Sequence, residues 1–334
     1  MNKTIQMIHG AGGKQTDRLI RDVFKKHFNN PLLTADDAAV LPGFDEQIVT
    51  STDSFIVSPR FFPGGNIGRL SVCGSVNDVA CMGAMPKYLT AAFVIEEGFS
   101  FEELEEIVKS MAETALEAGV SIVAGDTKVV GHGQVDGLYI TTTCIGTLPS
   151  YIYISGDQAM PGDAVIVTGD IGRHGSAILL AREDFGFHAD IESDDAPLAH
   201  LVSRMLDVSD QIDTIRDATR GGVGTVLYEI AKASGVGIRL VDEAIPVAPP
   251  VKSLTSMLGL DPLYLACEGR YVVFAPKEDA DALVSALRNE RHGENATVIG
   301  EVVSKNVGRV TIVTDIGTER FLPEPSGELL PRIC

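Results

Sequence analysis

The chain of 334 residues contains 45% hydrophobic and 22% charged residues, proportions typical of a globular protein, which exclude a disordered or fibrous one. Its formal net charge is −19, and an acidic surface repels nucleic-acid phosphates and anionic lipid, so neither nucleic acid nor a membrane is expected as a partner. If a protein of this charge handles phosphates, a divalent cation is the simplest means of screening its carboxylates.

Short apolar runs alternate with helical patterns along the chain, which predicts a mixed fold of the α/β (α+β) class. In the first half the predicted strands are Ile48–Phe55, Leu89–Ile95, Val120–Ala124 and Leu138–Thr147. In the second half they are Ala164–Thr168, Gly237–Val241, Tyr271–Ala275, Val298–Val303 and Arg309–Val313. The predicted helices are Ile67–Met82, Phe101–Ala118 and Val223–Ala233.

The helix over Phe101–Ala118 has the clearest signals at both ends. Its apolar residues recur at helical spacing and share one face. Ser100 and Glu103 have the spacing of a capping box, and Gly119 is a typical C-terminal stop.

A turn-rich stretch at Ser155–Gly162 precedes a new strand and indicates a domain boundary. We therefore expect one domain over residues 1–152 and a second over 153–305. Residues 306–334 are predicted to add one strand and then a mobile tail that ends in Cys334, because the pattern loses its periodicity and prolines become frequent. Eleven peptide steps from Pro323 to the last residue would span about 35–40 Å if extended.

The five cysteines form no C-x-x-C pair, which argues against a structural zinc site and against a disulfide framework. Four of them lie in apolar or motif-like surroundings and are expected to be reduced and mostly buried, whereas Cys334 is the last residue. No stretch approaches the roughly 20 apolar residues that span a bilayer, and the first fifteen residues lack the secretory pattern. We therefore expect a soluble cytoplasmic protein.

Several acidic residues of the first half stand at strand ends or in apolar surroundings, where an unpaired charge is costly. Asp36 and Asp37 are adjacent and repel each other unless a cation or hydrogen-bond donors relieve them. Asp53 lies in an apolar strand, Asp78 interrupts an apolar helix, and Asp126 follows a strand. A solvated acidic turn explains the first pair alone equally well, but the recurrence favours a shared Mg²⁺ centre.

The second half contains the segment Asp217–Val223, which leads into a helix. Its two glycines, Gly221 and Gly222, would let backbone N–H groups approach an anion, and Arg220 could add a charged contact. Taken alone, the segment is better explained by a glycine-rich turn that packs tightly. His174 follows another strand, and a lone histidine is more often structural than catalytic. The chain has neither a P-loop nor a G-x-G-x-x-G motif after its first strand.

Glu268 stands just before the apolar strand Tyr271–Ala275, so partial burial of its carboxyl is expected. Burial raises the pKa of a carboxyl group, and such a group can act as a general base. An acid that caps a turn is an equally good interpretation without further information. Lys128 is close to Asp126 in sequence and could bind a phosphate or form an ion pair.

Together these motifs resemble the superfamily of ATP-using enzymes that includes aminoimidazole ribonucleotide synthetase (PurM-like), thiamine-monophosphate kinase and selenophosphate synthetase. The resemblance narrows to the HypE family of hydrogenase maturation factors, the carbamoyl dehydratases, and extends from about residue 7 to the last residue. The segments that carry it are His9–Gly13, Ser51–Ser54, Phe61–Asn66, Gly125–Val130, Asp217–Gly222 and Pro331–Cys334. Cys267 departs mildly from the pattern, which has a polar residue such as Asn before Glu268.

The resemblance implies that Cys334 carries a carbamoyl group received from a HypF-type carbamoyltransferase. ATP would activate the carbamoyl oxygen, and loss of phosphate would leave a thiocyanate on Cys334. The cyano group would then pass to iron held by the HypC–HypD complex, for a nickel–iron hydrogenase. Glu268 would be the base, and Lys128 would orient it or stabilise its charge.

The resemblance also implies a set of ligands for Mg²⁺ and ATP. The metal and phosphate ligands would come from Asp36, Asp37, Asp53, Asp78 and Asp126. Nucleotide or phosphate contacts would come from Asn77, Thr127, His174, Asp217, Thr219, Arg220, Gly221 and Gly222. The implied fold is PurM-like, with a first domain that forms half of a dimeric β-barrel, a second α/β domain that covers it, and a homodimer with ATP in the cleft.

Two alternatives use the same aspartates. One is another PurM-like ATP-dependent synthetase or kinase that acts on a small molecule and has no need of Cys334. The other is a maturation scaffold that binds ATP without turnover and would tolerate replacement of both Cys334 and Glu268.

Overall fold

The protein is described as a computed structural model over residues 4–34, 38–182 and 189–324. Its two halves each contain a sheet with helices packed against it. The helices are α1 (Lys14–Leu19), α2 (Lys26–Phe28), α3 (Ile67–Cys81), α4 (Phe101–Ala118), α5 (Arg173–Arg182), α6 (Ala199–Leu206), α7 (Gly222–Ala233), α8 (Pro249–Leu258) and α9 (Ala280–Leu287). A π-helical stretch, Ile20–Lys25, joins the first two helices into one continuous segment.

Within the described residues, thirteen strands form two larger sheets and one short hairpin. The strands of the first half are β1 (Gln47–Phe55), β2 (Phe61–Phe62), β3 (Gly65–Asn66), β4 (Met85–Glu96), β5 (Ser121–Val130) and β6 (Leu138–Leu148). Those of the second half are β7 (Asp163–Val167), β8 (Thr214–Asp217), β9 (Gly237–Val241), β10 (Tyr271–Pro276), β11 (Thr297–Val303), β12 (Val310–Val313) and β13 (Glu319–Phe321).

The first sheet has the order β1-β6-β4-β5, and within it only β4 and β5 are parallel. That pair is connected through α4, as a parallel crossover requires. One face of this sheet is covered by α3 and buries the apolar residues of β4 and β6. The other face is half-exposed and rich in hydroxyl groups. There Thr52 pairs with Thr143 and Ser54 with Thr141, each at 2.9 Å between hydroxyl oxygens.

The second sheet has the order β13-β12-β9-β11-β7-β10-β8 and buries both faces of its central strands. One face packs against α7 through Val165, Val272 and Phe274. The opposite face, which includes Ile166 and Val273, belongs to the same hydrophobic cluster as the core of the first half. The two halves therefore share one continuous apolar core.

The helix α3 lies at the centre of this shared core, where every one of its residues except Arg69 and Asp78 is buried. Such close approach needs small side chains. A Cβ atom on Gly74 would lie 2.8 Å from the ring of Phe55, and one on Gly68 would lie 2.3 Å from the carbonyl oxygen of Ile107. The small-residue character of this helix is thus a packing requirement.

The predicted fold class and most predicted elements match the structure. The helix Phe101–Ala118 has the predicted bounds, with the Ser100 hydroxyl accepting the Glu103 N–H and Gly119 in the left-handed conformation. The strand predicted over Val120–Ala124 is longer, so Asp126 lies within β5 rather than after it. The chain beyond residue 305 adds two strands to the second sheet, not one. The helical segment from residue 14 to residue 28 and the strand β8 were not predicted.

Four cysteines of the described residues are free and buried, as expected: Cys73, Cys81, Cys144 and Cys267. Among the residues that the structure describes, no helix combines the length and the apolar character needed to cross a membrane.

Two acidic side chains form a pair beside β10. Asp163 begins β7, and Asp213 precedes β8, where its N–H donates to the Phe274 carbonyl at 3.0 Å. The two carboxyl groups share a hydrogen bond, and Asp163 also accepts the Met160 N–H at 2.6 Å. Burial, together with the charge of Asp163, raises the pKa of Asp213 to about 6. The pair is therefore held by a proton that the folded state binds more tightly than the unfolded state.

Because the pKa of Asp213 is raised on folding, its contribution to stability is full at low pH and is lost as the pH rises through about 6. We expect Asp213→Asn to keep the hydrogen bond to Asp163 at every pH. Its melting temperature should exceed that of the wild type by a few degrees at pH 8 and should differ little at pH 4. Differential scanning fluorimetry over this range measures the effect, with exposed Asp210→Asn as the control. A parallel pH dependence of the wild type and Asp213→Asn would contradict it.

Candidate functional site

Four acidic side chains approach one another where the two halves of the chain meet. The alternation of β1 places Asp53 on the same face as buried Phe55, toward α3. Asp78 lies on α3 and accepts a hydrogen bond from the Ser51 hydroxyl at 2.6 Å. Asp217 ends β8, and Glu268 precedes β10, the strand that pairs with β8. We call this group of four the junction acids.

Three of the junction acids, Asp78, Asp217 and Glu268, have raised pKa values. Burial, followed by the charge of Asp78, raises the pKa of Asp217 to about 6. Burial also raises the pKa of Asp78, to which the charge of Asp53 adds. The pKa of Glu268 is raised well above its ordinary value by burial and next by the charge of Asp217. Protonation or a bound cation would relieve this repulsion.

Two arginines partly offset the negative charge of the junction acids. Arg216 lowers the pKa values of both Asp78 and Asp217, and Arg220 lowers that of Asp78. Both guanidinium groups belong to exposed residues. The junction therefore combines half-buried carboxylates with cationic groups nearer the solvent, an arrangement suited to a ligand that brings both phosphates and a metal ion.

The oxygen-only donor set of the junction fits Mg²⁺ better than it fits a transition metal. Within the described residues, however, no three His, Cys, Asp or Glu side chains are arranged as a ready metal cage. Mg²⁺ commonly takes one or two protein carboxylates and completes its shell with phosphate oxygens and water. Asp53 and Asp78 fit that role.

The glycine turn before α7 has both features that only glycine tolerates well. Gly221 and Gly222 have φ values of 71° and 62°. A Cβ atom on Gly222 would lie 2.4 Å from the Leu265 carbonyl oxygen. Tight packing thus accounts for Gly222, and the predicted anion contact of this turn stays a prediction. The hydroxyl of Thr219 is occupied by a hydrogen bond that lowers the pKa of Asp217.

Asp126, Thr127 and Lys128 lie away from the junction acids. They are on β5, the edge strand opposite β1, and three strand spacings correspond to about 14 Å. Asp126 and Lys128 also point to the face opposite that of Asp53, since their register partners Ala92 and Val94 are on the half-exposed side. One chain therefore does not bring Asp126 into a common centre with Asp53.

The predicted partnership of Lys128 with Glu268 is likewise absent within the described part of one chain. The Lys128 ammonium is largely exposed and binds the Asp126 carboxylate, at 2.8 and 2.9 Å to its two oxygens. This ion pair lowers the pKa of Asp126. An ion pair is one of the two interpretations that the sequence offers for Lys128, and β5 explains it, because a spacing of two residues within a strand places both side chains on one face.

A cavity of about 600 Å³ lies between the N-terminal helical segment and the strands β4 and β5. Asp126 and Thr127 line it together with Arg21 and Lys25. Thr34 and Ala38 also line it, and they are close in sequence to the predicted ligands Asp36 and Asp37. Those two aspartates, like Cys334, lie outside the described residues, and their predicted roles stay predictions.

The histidine expected near a nucleotide is fully buried. The Nδ1 atom of His174 lies 2.8 Å from the Ser193 hydroxyl, and its ring meets the ring of Phe62 edge-on. Burial lowers the pKa of His174 to about 3, so the ring is neutral. The structural interpretation of His174 is thus favoured over nucleotide contact.

Asn77 is also buried, and its amide is occupied by protein groups rather than open to a ligand. Its nitrogen donates to the carbonyl of Ala196 at 2.9 Å, and its oxygen accepts the Leu198 N–H at 2.8 Å. A direct nucleotide contact by Asn77 is therefore not favoured by the geometry.

Sequence reasoning missed a second acidic pair beside the junction. The Asp194 and Asp195 side chains are fully buried, at 3.7 Å from Arg270 and 3.8 Å from Arg69 respectively. Burial raises the pKa of Asp195 to about 7. Asp194 and Asp195 are followed by Ala196, just as Asp36 and Asp37 are followed by Ala38. This repeated sequence was the signal that could have identified the second acidic pair.

Comparison with known proteins matches both halves of the chain to one family. The model named AIR synthase related protein, N-terminal domain, matches residues 35–148, and the corresponding C-terminal domain model matches residues 160–313. A carbamoyl dehydratase HypE of Azotobacter vinelandii is 47% identical over 334 residues, which are 100% of this chain and 98% of that protein.

Two solved structures extend the similarity to three dimensions. A hydrogenase maturation protein HypE in complex with ATP superposes with a TM-score of 0.94 at 45% identity, covering 99% of this chain and 100% of the other. A chain from a HypE–HypF complex superposes with a TM-score of 0.82 at 48% identity, covering 92% of this chain and 99% of the other.

The close packing at Gly222 can be tested against a glycine with a similar backbone but free space. Gly235 has a φ of 65° and no atom within 4 Å of the position where a Cβ would stand. We expect Gly235→Ala to lower the free energy of unfolding by about 1–2 kcal/mol, the cost of the left-handed conformation alone. Gly222→Ala should cost about 3 kcal/mol or more, because backbone must also move. Urea denaturation measures both, and equal losses would contradict the packing role.

Proposed function

Because the chain belongs to the HypE family of carbamoyl dehydratases, which act in NiFe-hydrogenase maturation, we propose that it dehydrates a carbamoyl group carried on its own Cys334. The product is a protein thiocyanate, and ATP is consumed to ADP and phosphate. The observation that carries the assignment of residue roles is the convergence of Glu268 with three aspartates at the junction of the two domains.

The reaction must turn the carbamoyl oxygen into a leaving group and remove two protons from nitrogen. The carbamoyl oxygen attacks the γ-phosphorus of ATP, an O–P bond forms, and ADP leaves. The nitrogen then loses its protons while the C–O bond breaks. The oxygen departs within inorganic phosphate, and the carbon that stays on sulfur becomes a nitrile.

Glu268 is the base in this proposal. Its burial among other acids raises its pKa, so its carboxylate binds a proton more strongly than an ordinary glutamate does. Asp53 and Asp78 would hold Mg²⁺, which when bound neutralises charge on the phosphates. The turn at Arg220 and Gly221 would contact the phosphates from the side opposite Asp53 and Asp78, and Asp217 would lie between this turn and those two aspartates.

The carrier role of Cys334 is supported by the anchoring of the chain at residues 322–324. The tyrosine hydroxyls of Tyr228 and Tyr264 donate to the carbonyls of Leu322 and Pro323, and Lys232 binds Glu324. Ten residues remain beyond that point, and they can span at most about 33–36 Å. The thiol can therefore reach well across a domain while its attachment stays fixed.

The proposed partners follow from the chemistry of the carrier. A similar protein has been solved as a HypE–HypF complex. We infer that a HypF-type carbamoyltransferase loads Cys334 here and that iron on a HypC–HypD complex receives the cyano group. The proposed compartment is the cytoplasm, where ATP is available and where thiols stay reduced, in line with the four free cysteines of the described residues.

The separation of Lys128 and Asp126 from Glu268 supports the proposal of a homodimer. The half-exposed face and the two edges of the first sheet would be covered if two four-stranded sheets closed into a barrel. We propose that β5 of one protomer then contributes to the site whose junction acids belong to its partner. Lys128 would thus act with Glu268 across the interface.

Mass spectrometry of the intact chain tests the proposed reaction. With carbamoyl phosphate, ATP, Mg²⁺ and a HypF-type carbamoyltransferase, the wild type should gain a carbamoyl adduct that becomes a cyano adduct. Cys334→Ala should gain neither, and Glu268→Gln should keep the carbamoyl adduct with conversion reduced by about 100-fold or more. Exposed Glu319→Gln is the control.

ATP binding, measured by calorimetry, should persist in Cys334→Ala and Glu268→Gln. ATP turnover by Cys334→Ala on an added small molecule would favour the synthetase or kinase alternative. If both variants keep the function of the wild type in hydrogenase maturation, the scaffold alternative is favoured. An unmodified wild-type Cys334, in conditions where a homologous protein reacts, would refute the carrier role.

A mixing experiment tests the shared site. Lys128→Ala and Glu268→Gln should each be inactive alone. If each site draws Lys128 and Glu268 from different protomers, a 1:1 mixture allowed to exchange subunits should regain about a quarter of wild-type conversion. Light scattering must show a dimer, and tagged chains must show that exchange occurred. An inactive mixture of exchanged dimers, or a monomer, would refute the shared site.

A further inference from the structure

We infer that Asn77 is a positioning residue for the dehydration step, because its amide fixes the backbone of Glu268 across the junction of the two domains. This inference rests on the proposed role of Glu268 as the base. It concerns a residue that the sequence resemblance suggested as a nucleotide contact and that the structure instead places inside the protein.

The Asn77 amide connects three segments that are distant in sequence. Its nitrogen donates to the Glu268 carbonyl at 3.4 Å and to the Ala196 carbonyl at 2.9 Å, while its oxygen accepts the Leu198 N–H at 2.8 Å. The residue is 3% exposed. Loss of this amide would leave buried polar groups without partners, which a buried site tolerates poorly.

The Glu268 backbone is held from its other side by Asp194. The Asp194 Oδ1 atom accepts the Glu268 N–H at 3.2 Å. Gly269 lies against the same segment so closely that a Cβ atom there would be 1.8 Å from the Asp194 carbonyl oxygen. The N–H and the C=O of Glu268 are thus both bound, one by the segment that contains Asp194 and one by α3.

This clamp keeps the Glu268 carboxyl among like charges. The titratable groups whose charge raises its pKa come from three separate segments and are Asp217, Asp194, Asp195 and Asp53. The Cys73 thiol of α3 also interacts with the Glu268 charge. A carboxyl held among these groups is a stronger base than one free to turn toward water. Positioning and basicity therefore depend on the same contacts.

The test is the pH dependence of single-turnover conversion of carbamoylated Cys334 to the cyano form. We expect Asn77→Ala to slow conversion at least tenfold at neutral pH and to move the acidic limb of the pH–rate profile to lower pH by half a unit or more. The limb moves because a released Glu268 loses its proton more easily. The dissociation constant for ATP should change less than threefold.

Asn66→Ala is the matched control. Asn66 is a buried asparagine that immediately precedes the same helix and caps its first turn by accepting the N–H groups of Gly68 and Arg69. Its loss destabilises α3 without removing a contact to Glu268. We expect a lower melting temperature with an unmoved pH limb. Asn77→Ser, a smaller polar change, serves in the same assay if Asn77→Ala does not fold.

The outcomes separate this inference from the function it rests on. Normal conversion by Glu268→Gln would refute both the role of Glu268 as the base and the positioning role of Asn77. The positioning role alone would be refuted by a different combination of results. Glu268→Gln would lose conversion, while the folded Asn77 variants would show an unmoved acidic limb and a loss of rate no larger than that of Asn66→Ala.

Discussion

The structure depends on the burial of one helix, Ile67–Cys81, between two sheets, with Arg69 and Asp78 as the two residues of the helix that are not buried. A helix in that position must present small or apolar residues on every side, and each polar group it carries must find a partner inside the protein. Asn77 meets this requirement by bonding to two segments of the second domain. Asp78 meets it only in part, through Ser51. The helix therefore joins the domains and also brings a half-buried carboxylate, that of Asp78, to the junction between them.

The junction acids show why such a site costs stability. Asp78, Asp217 and Glu268 all have raised pKa values because they are buried near one another. A chain selected for stability alone would replace them, whereas a chain that must bind a metal–phosphate ligand and move protons needs them. The repulsion also explains the arginines nearby. Arg216 and Arg220 reduce this cost from exposed positions.

Local patterns predicted the parts of the fold that local physics determines. The alternation in β1 and the caps of Phe101–Ala118 are short-range signals, and both matched the structure. The four-residue strand β8 contains Arg216 and Asp217 and offers too little alternation to be noticed. The role of Asn77 could not be read from its neighbours, because its partners are 119 to 191 residues away. Lys128 forms an ion pair with Asp126 within one chain, because both side chains lie on one face of β5, a strand longer than the sequence indicates. Its partnership with Glu268 stays a prediction that needs a second chain.

The fixed attachment of the chain at Leu322–Glu324 has a consequence for the order of the reaction. If Cys334 carries the group as proposed, ten residues of covalent chain keep its thiol within about 33–36 Å of Glu324 at any protein concentration. The reaction of the carried group is then intramolecular. Turnover of the carried group should therefore be first order in loaded chain, and only the exchanges with partner proteins should respond to dilution.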